Sequence, residues 1–308
     1  SEGIIPRSMT EAVTVLIPKE GDVHSPSNFR PITLLNVDYK LMTKTINKSF
    51  FSKFLNDNLS DEQLCAVPGR DIRNGTILIR DIISYCKSKG ISASIVSLDQ
   101  KKAFDMVDRC FLYKILRALK VDSRVLRFVD TIYCNTHTSI QVNGHLSSKI
   151  PLQRGVRQGC PLSATLYVIY VHAFISYISK STDFSGISLP GGKQCKVSAY
   201  ADDLVLFCKD KYDEDYIFSF FDEVSSATGS TLNKSKTNIL HIGPKPFSSV
   251  YQRTNVKICG IHFDFQNNGV LSFKECETKI DKRIQKYKHL PLTLHGKVLI
   301  CNTMLFPL

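Results

Sequence analysis

The sequence predicts an α+β fold: an antiparallel sheet backed by helices. Three observations carry this. Strand-like runs alternate with amphipathic helical runs along the chain. The run SIQVNGHLSSKIPL (139–152) reads as a β-hairpin around Asn143-Gly144. The run QCKVSAYADDLVLFCK (194–209) reads as strand, turn, strand. Hairpins build antiparallel sheets, and helices in such folds gather on one face.

The elements follow in order. EAVTVLIP (11–18) is a short strand closed by Pro18, and 19–31 is a loop rich in Gly, Pro, Ser and Asn. Residues 32–55 carry apolar positions at loosely helical spacing (Leu41, Ile46, Phe50, Phe54). Pro68 and Gly69 then break the chain before a helix over 76–87. The segment 91–105 is a strand that runs into polar residues at Asp99. In the next helix Phe111, Leu112, Ile115, Leu116 and Leu119 share a face behind an Asp108 cap. A loop (153–161) leads to a buried helix over 161–180, whose Ser163, Thr165, His172, Ser176 and Ser179 argue against a membrane span. After the 194–209 hairpin come an amphipathic helix (214–228) and a basic loop entering a strand (233–242). Beyond Pro246 lie the apolar stretch 256–263 and a basic helical region over 273–305 with Lys279, Lys282, Arg283, Lys286 and Lys288.

Composition narrows the class. The 308 residues are 43% hydrophobic and 22% charged, as in ordinary globular proteins, and suffice for one large domain or two smaller ones. Forty Lys+Arg against 28 Asp+Glu give a net charge of +12, which favours a polyanionic partner, nucleic acid first. The ten cysteines show no zinc-ligand spacing and suit a reducing compartment, nucleus or cytoplasm. The chain opens at Ser1 without a secretion signal and is expected to be a piece of a longer protein with no membrane role.

The chemistry centres on carboxylates. Asp202 and Asp203 sit side by side within SAYADDLV (198–205), and Asp99 ends an earlier strand. Alone, the pair reads as a turn, since Asp favours turns. If the strands are neighbours, all three carboxylates meet at one sheet end. Magnesium takes hard oxygen ligands, one or two carboxylates per ion, and two ions suit an in-line phosphoryl displacement. Phe104, five residues after Asp99, is either core packing or a flat barrier to a nucleotide 2′-hydroxyl. The loop RGVRQGCP offers glycines, arginines and an amide ahead of a helix, a setting suited to phosphate or a nucleotide edge.

LDQKKAFD (98–105), RGVRQGCPLS (154–163) and YADD (200–203) occur in order. They resemble the first three palm motifs of a reverse transcriptase. IPKEGDVHSPSNFRPITLLNVDYK (17–40) and AVPGRDIRNG (66–75) resemble the fingers of non-LTR (LINE-like) retrotransposon enzymes. GSTLNKSKTNIL (229–240) is similar to the fourth motif, KICGIHF (257–263) to the primer grip, and KHLPLTLHGKVLICNTMLFP (288–307) to the start of the thumb.

The resemblance implies a right-hand polymerase: fingers (1–90), palm (91–255, with finger-side insertions near 110–150), then primer grip and partial thumb (256–308). It implies an RNA-directed DNA polymerase with template RNA, a DNA or RNA primer, deoxynucleoside triphosphates and two Mg2+ ions, Mn2+ being the alternative. An endonuclease and the rest of the thumb would lie elsewhere in the same polyprotein, so weak processivity is expected of this piece. Asp99, Asp202, Asp203 and the Gln100 carbonyl would hold metal. Lys236, or its neighbour Lys234, would be proton donor to pyrophosphate. Phe104 would be the steric gate. Gln158 and Gly159 would line the nucleotide pocket, and Tyr200 and Ala201 would approach the primer end. Arg70 and Arg73, with Arg30 behind them, are candidates for the triphosphate. Cys259 and Gly260 would form the grip. Departures are Lys101 and Lys102 before Ala103, and the absence of tryptophan. Two other readings are a silent, domesticated fold serving as a nucleic-acid scaffold and an RNA-dependent RNA polymerase. The intact carboxylate set argues against the first, and Phe104 against the second.

Overall fold

The computed structural model describes residues 5–19, 22, 24–243, 251–266 and 269–305. Pro246, parts of the 17–40 loop and the last residues of the 288–307 segment lie outside the described residues.

Strand β1 (Glu11–Pro18) matches its expected span and pairs antiparallel with β2 (Phe29–Leu34), Val13 opposite Leu34. The expected loop through residue 31 therefore ends early. Phe29 and Ile32 complete a hairpin that local spacing does not reveal, and tertiary pairing overrides propensity. Helices α1 (Val37–Ile46) and α2 (Ser52–Asn58) follow, made continuous by a π-helical turn over Asn47–Phe51. Helix α3 (Ile72–Lys89) starts earlier than residue 76, because the Asp71 carboxylate caps it by accepting from the Arg73 amide at 2.8 Å. It ends at Gly90, whose φ of +64° is the left-handed conformation of a C-terminal cap.

Next come β3 (Ala93–Leu98) and α4 (Arg109–Ala118), capped as expected by Asp108, which accepts from the Phe111 amide at 2.6 Å. Helix α5 (Ser123–Tyr133) has no counterpart among the expected elements, although Val125, Val129 and Ile132 form its buried stripe. Strand β4 (His137–Val142) enters the expected hairpin, with Asn143 and Gly144 both at positive φ. The buried helix is α6 (Ser163–Lys180). Strands β5 (Val197–Tyr200) and β6 (Asp203–Cys208) form the hairpin of interest. Then follow α7 (Lys211–Thr228), β7 (Asn238–Ile242), the hairpin β8 (Asn255–Ile258) and β9 (Ile261–Asp264), α8 (Val270–Tyr287) and α9 (Leu294–Ile300).

Two sheets result. In the first, β2, β1 and β4 are adjacent, and β1 runs parallel to β4. In the second, β7, β3, β6 and β5 run antiparallel in that order. Strand periodicity sorts its side chains. Val96, Leu98, Leu204 and Leu206 join the core shared with α4, α6 and α7. Ile95, Val205, Phe207 and Leu240 face the other way, against Ile79, Ile82 and Ile83 of α3 and Val256, Ile258 and Phe263 of the β8–β9 hairpin. Helices therefore cover both faces, not one. The run ASIVSL carries that signal, since a strand buried on both sides loses its polar alternation.

No helix among the described residues is long and apolar enough to cross a membrane. Helix α6 meets the core instead, with Leu166 to Val171 buried in succession. All ten cysteines are free.

Candidate active site

The tip of the β5–β6 hairpin carries Asp202 and Asp203. Tyr200 pairs with Asp203, and Ala201 in the turn has φ of +54°. A left-handed alanine costs about 1–2 kcal/mol, so its surroundings must enforce it. They do so through residues 62–64, which add a parallel bridge to β5. Leu64 N donates to Ala199 O at 2.8 Å and Ala199 N to Glu62 O at 2.8 Å. The fully buried Gln63 side chain accepts from Cys65 N at 3.0 Å and, more weakly, from Ala201 N at 3.4 Å.

Register brings in the third carboxylate. Leu98 pairs with Leu204, and one further step of that antiparallel register sets Asp99 opposite Asp203, on the same face. Burial raises the Asp203 carboxyl above its ordinary range. Asp202 and Asp99 push it the same way, while the Cys259 thiol, 3.6 Å away, and Lys236 act against them. Lys236 Nζ lies 3.7 Å from Asp99 Oδ2, whereas Lys234 makes no such contact with the carboxylates. The loop bearing Lys236 is laced to the site: Asn233 N donates to Asp99 O at 2.8 Å and Lys101 N to Thr231 O at 2.9 Å. Those bonds use the carbonyls of Asp99 and Thr231 and not that of Gln100.

Among the described residues no three His, Cys, Asp or Glu side chains form a metal cage by themselves. Magnesium does not require one, because it binds through one or two carboxylates with waters and substrate phosphates. An Asp203 carboxyl whose proton affinity Asp202 and Asp99 raise, answered by the Cys259 thiol and by a lysine 3.7 Å from Asp99, fits a hard divalent cation.

This charge has a stability cost with a definite sign. A carboxyl whose pKa is raised by folding stabilises the native state fully at pH below the unfolded value, and that contribution is lost as pH rises through the folded value. Metal-free Asp203→Asn should therefore match wild type near about pH 4 and exceed it near about pH 7. Urea midpoints at the two pH values check this; equal midpoints at the higher pH contradict it.

The nucleotide side is built from two loops. Phe104 is half-buried and stacks on Tyr167 of α6, ring centroids 4.8 Å apart. Phe104 O accepts from Val156 N at 2.8 Å, and Gln158 Nε2 donates to Asp105 Oδ1 at 3.2 Å. On the other side Thr33 N donates to Gln158 O at 2.7 Å. Gly159 is obligatory here: its φ is +119°, and a Cβ would stand 2.4 Å from Thr33 O. Lys101 and Lys102 are exposed, which accommodates their bulk.

Several expected phosphate ligands are occupied elsewhere. Arg154 donates to Met106 O and Thr228 O at 2.6 and 2.7 Å. Arg157 is buried, donates to Met9 O and Thr10 O, and lies over the Tyr39 ring at 5.3 Å. The start of α6 is itself buried and capped by Cys160, whose carbonyl accepts from Ser163 N at 3.1 Å. Arg157 and that helix end are closed to a ligand, whereas Arg154 is exposed with one nitrogen engaged by two carbonyls. Arg70 is likewise engaged, donating to Ser60 O, Gln63 O and Leu59 O at 2.5, 2.7 and 3.0 Å and pairing with Asp61 at 3.3 Å. Arg73 is 79% exposed and pairs with Asp71, and Arg30 is exposed on β2.

The β8–β9 turn is Cys259-Gly260, with φ of +50° and +84°. Burial pushes the Cys259 thiol up to about 12, so it remains an S–H donor to Asp203. Glu275 on α8 ties this hairpin down. Lys257, Lys279 and His262 hold its carboxyl down at about 2.

Three contributors escape sequence reasoning. Tyr167 donates its hydroxyl to Gln100 Oε1 at 3.1 Å, and burial with the nearby Asp202, Asp99 and Asp203 raises its pKa well above the phenol range. A hydroxyl inside an apolar helix is its only trace. Gln63 leaves no pattern. Arg109 donates to Gly155 O and Leu152 O, both at 2.9 Å, pinning the 152–155 loop; as the first residue of a helix it looks like surface charge.

Comparison with known proteins fits this geometry. The family described as reverse transcriptase (RNA-dependent DNA polymerase) matches residues 17–263. The Transposon TX1 uncharacterized 149 kDa protein of Xenopus laevis is 31% identical over 98% of this chain and 24% of its own length. The retrovirus-related Pol polyprotein from type-1 retrotransposable element R2 of Popillia japonica is 29% identical over 66% of this chain and 28% of its own. The chain thus spans about a quarter of these relatives. Among solved structures, apo telomerase from Candida tropicalis, truncated from its C-terminal domain, superposes with a TM-score of 0.61 at 14% identity, over 86% of this chain and 55% of that one. The fold is that of a right-hand polymerase.

Proposed function

The chain belongs to the reverse transcriptase (RNA-dependent DNA polymerase) family, with relatives in non-LTR retrotransposons, and from that premise we propose that it copies template RNA into DNA from a primer 3′-hydroxyl, as part of a larger polyprotein. The observation that carries this reading is the register that faces Asp99 with Asp203 at the hairpin tip. Residues 1–90 serve as fingers, 91–255 as palm, and 256–308 as primer grip and start of the thumb. The pairing of β4 with β1 supports counting the region near 110–150 as a finger-side insertion.

Asp99, Asp202 and Asp203, with the Gln100 carbonyl, are the residues to hold Mg2+ or Mn2+. Two such ions, when bound, supply charge neutralisation at the attacking and leaving oxygens. Tyr200 and Ala201 set the tip against the primer end, so the 3′-hydroxyl lies in line with the α-phosphorus. Lys236, on an exposed stem beside Asp99, hands a proton to the departing pyrophosphate, an effect worth about 10²–10⁴-fold in rate. Gln158 and Gly159 line the pocket beneath the base. Arg73 is the triphosphate candidate whose guanidinium reaches solvent, with Arg30 secondary. Arg70 is left to structure. The basic α8 runs along the template–primer duplex, whose A-like form is read through backbone and shape. No observation favours the silent scaffold, since all three carboxylates stand at one sheet end.

Phe104 excludes the 2′-hydroxyl by collision. Phe104→Ala should raise ribonucleotide use relative to deoxynucleotide by about 10-fold or more, since a site built around one sugar rejects the other by contacts worth 10–200-fold. Single-nucleotide extension with each substrate checks this. Unchanged sugar selection removes the gate assignment. The reading as a whole is tested by primer extension on a homopolymer RNA template with Mg2+.

A further inference from the structure

Phe104 sits in an irregular turn beyond β3, and its backbone alone does not fix its ring. Among the described residues the only ring stacked on it is Tyr167, with planes 14° apart and centroids 4.8 Å apart. Tyr167 is 0% exposed and rides on α6, the most deeply buried helix of the fold. Its hydroxyl is tied to Gln100, next to Asp99 in the chain. The platform is therefore anchored on the Tyr167 side, while Phe104 itself stays half-buried. A stacked aromatic pair restricts χ1 and χ2 of the less buried partner, because any other rotamer forfeits the face contact.

We propose that Tyr167 is a positioning residue for sugar selection: its ring holds Phe104 in the orientation that meets the 2′ position. This rests on the steric-gate reading of Phe104. Discrimination between deoxy- and ribonucleotides is then a property of the stacked pair, and a change at Tyr167, which touches no nucleotide, loosens it.

The test measures kcat/KM for a deoxynucleotide and its ribonucleotide in single-nucleotide extension. It compares wild type, Phe104→Ala, Tyr167→Leu, Tyr167→Phe and the double variant Phe104→Ala/Tyr167→Leu. The ribo-to-deoxy ratio is independent of the folded fraction, so partial destabilisation does not move it. Tyr167→Met, which fills the space with a flexible chain, stands in if the leucine variant does not fold. Tyr167→Leu should raise the ratio about three- to tenfold, the scale of releasing one rotamer. Tyr167→Phe, which keeps the ring, should hold the wild-type ratio. The double variant should not exceed Phe104→Ala alone, because coupled residues are not additive. If Phe104→Ala raises the ratio while Tyr167→Leu and Tyr167→Met leave it unchanged, the proposal is overturned and the gate stands. If Phe104→Ala changes nothing, the gate reading has failed and the proposal falls with it. A Tyr167→Phe ratio as high as that of Tyr167→Leu assigns the effect to the Gln100 hydrogen bond and overturns the stacking role.

Discussion

Asp99→Asn should lower RNA-templated primer extension by about 10³-fold or more while leaving the fold in place. The substitution keeps the size of the side chain and removes only its charge. Asp99 is partly exposed, its backbone carbonyl still accepts from Asn233 N, and the Lys236 contact is a long one at 3.7 Å. Little stability depends on that ion pair, since exposed pairs contribute about 0–1 kcal/mol. Catalysis depends entirely on the Asp99 charge, because phosphoryl transfer runs on positioning and charge neutralisation. Extension rates with the thermal midpoint measured alongside decide the matter. Full activity in a folded Asp99→Asn protein removes the carboxylate site from the mechanism.

Arg70→Ala should do the opposite: it should cost stability first. One guanidinium holds the carbonyls of Leu59, Ser60 and Gln63, and leaving such acceptors unpaired costs about 1–3 kcal/mol each where they are buried. A loss near about 3 kcal/mol in urea unfolding is the expected outcome. Gln63 also braces Ala201, so activity should fall with the loosened tip. A triphosphate ligand would behave differently: the unfolding midpoint would stay put and the nucleotide KM would rise. The paired measurement of midpoint and KM separates the two roles.

These two residues mark what the sequence discloses. Asp99 and Asp203 are legible because strand ends and a hairpin tip leave a local pattern, and register then does the rest. The spans of β1 and α4 are legible for the same reason, through a closing proline and a capping aspartate. Arg70, Arg154 and Arg157 are not. A basic residue near a phosphate-like loop looks the same whether its guanidinium faces solvent or folds back onto carbonyls. Only the tertiary path of 59–63, of 106 and of 9–10 decides between these. Tyr167 is hidden differently, since its hydroxyl is a single polar atom in an apolar helix whose partner lies 67 residues away. Strand β2 is hidden because its pairing with β1 is non-local information in a proline-bearing stretch.

RNA-templated DNA synthesis at the Asp99–Asp203 tip can be followed directly. The most direct measurement supplies the chain with a homopolymer RNA template, an annealed DNA primer, the complementary deoxynucleotide and Mg2+, and follows primer length. The primer should elongate, elongation should stop when Mg2+ is chelated, and it should be lost in Asp202→Ala. Tight binding of the template–primer with no elongation under any divalent metal would contradict this and return the protein to a nucleic-acid scaffold.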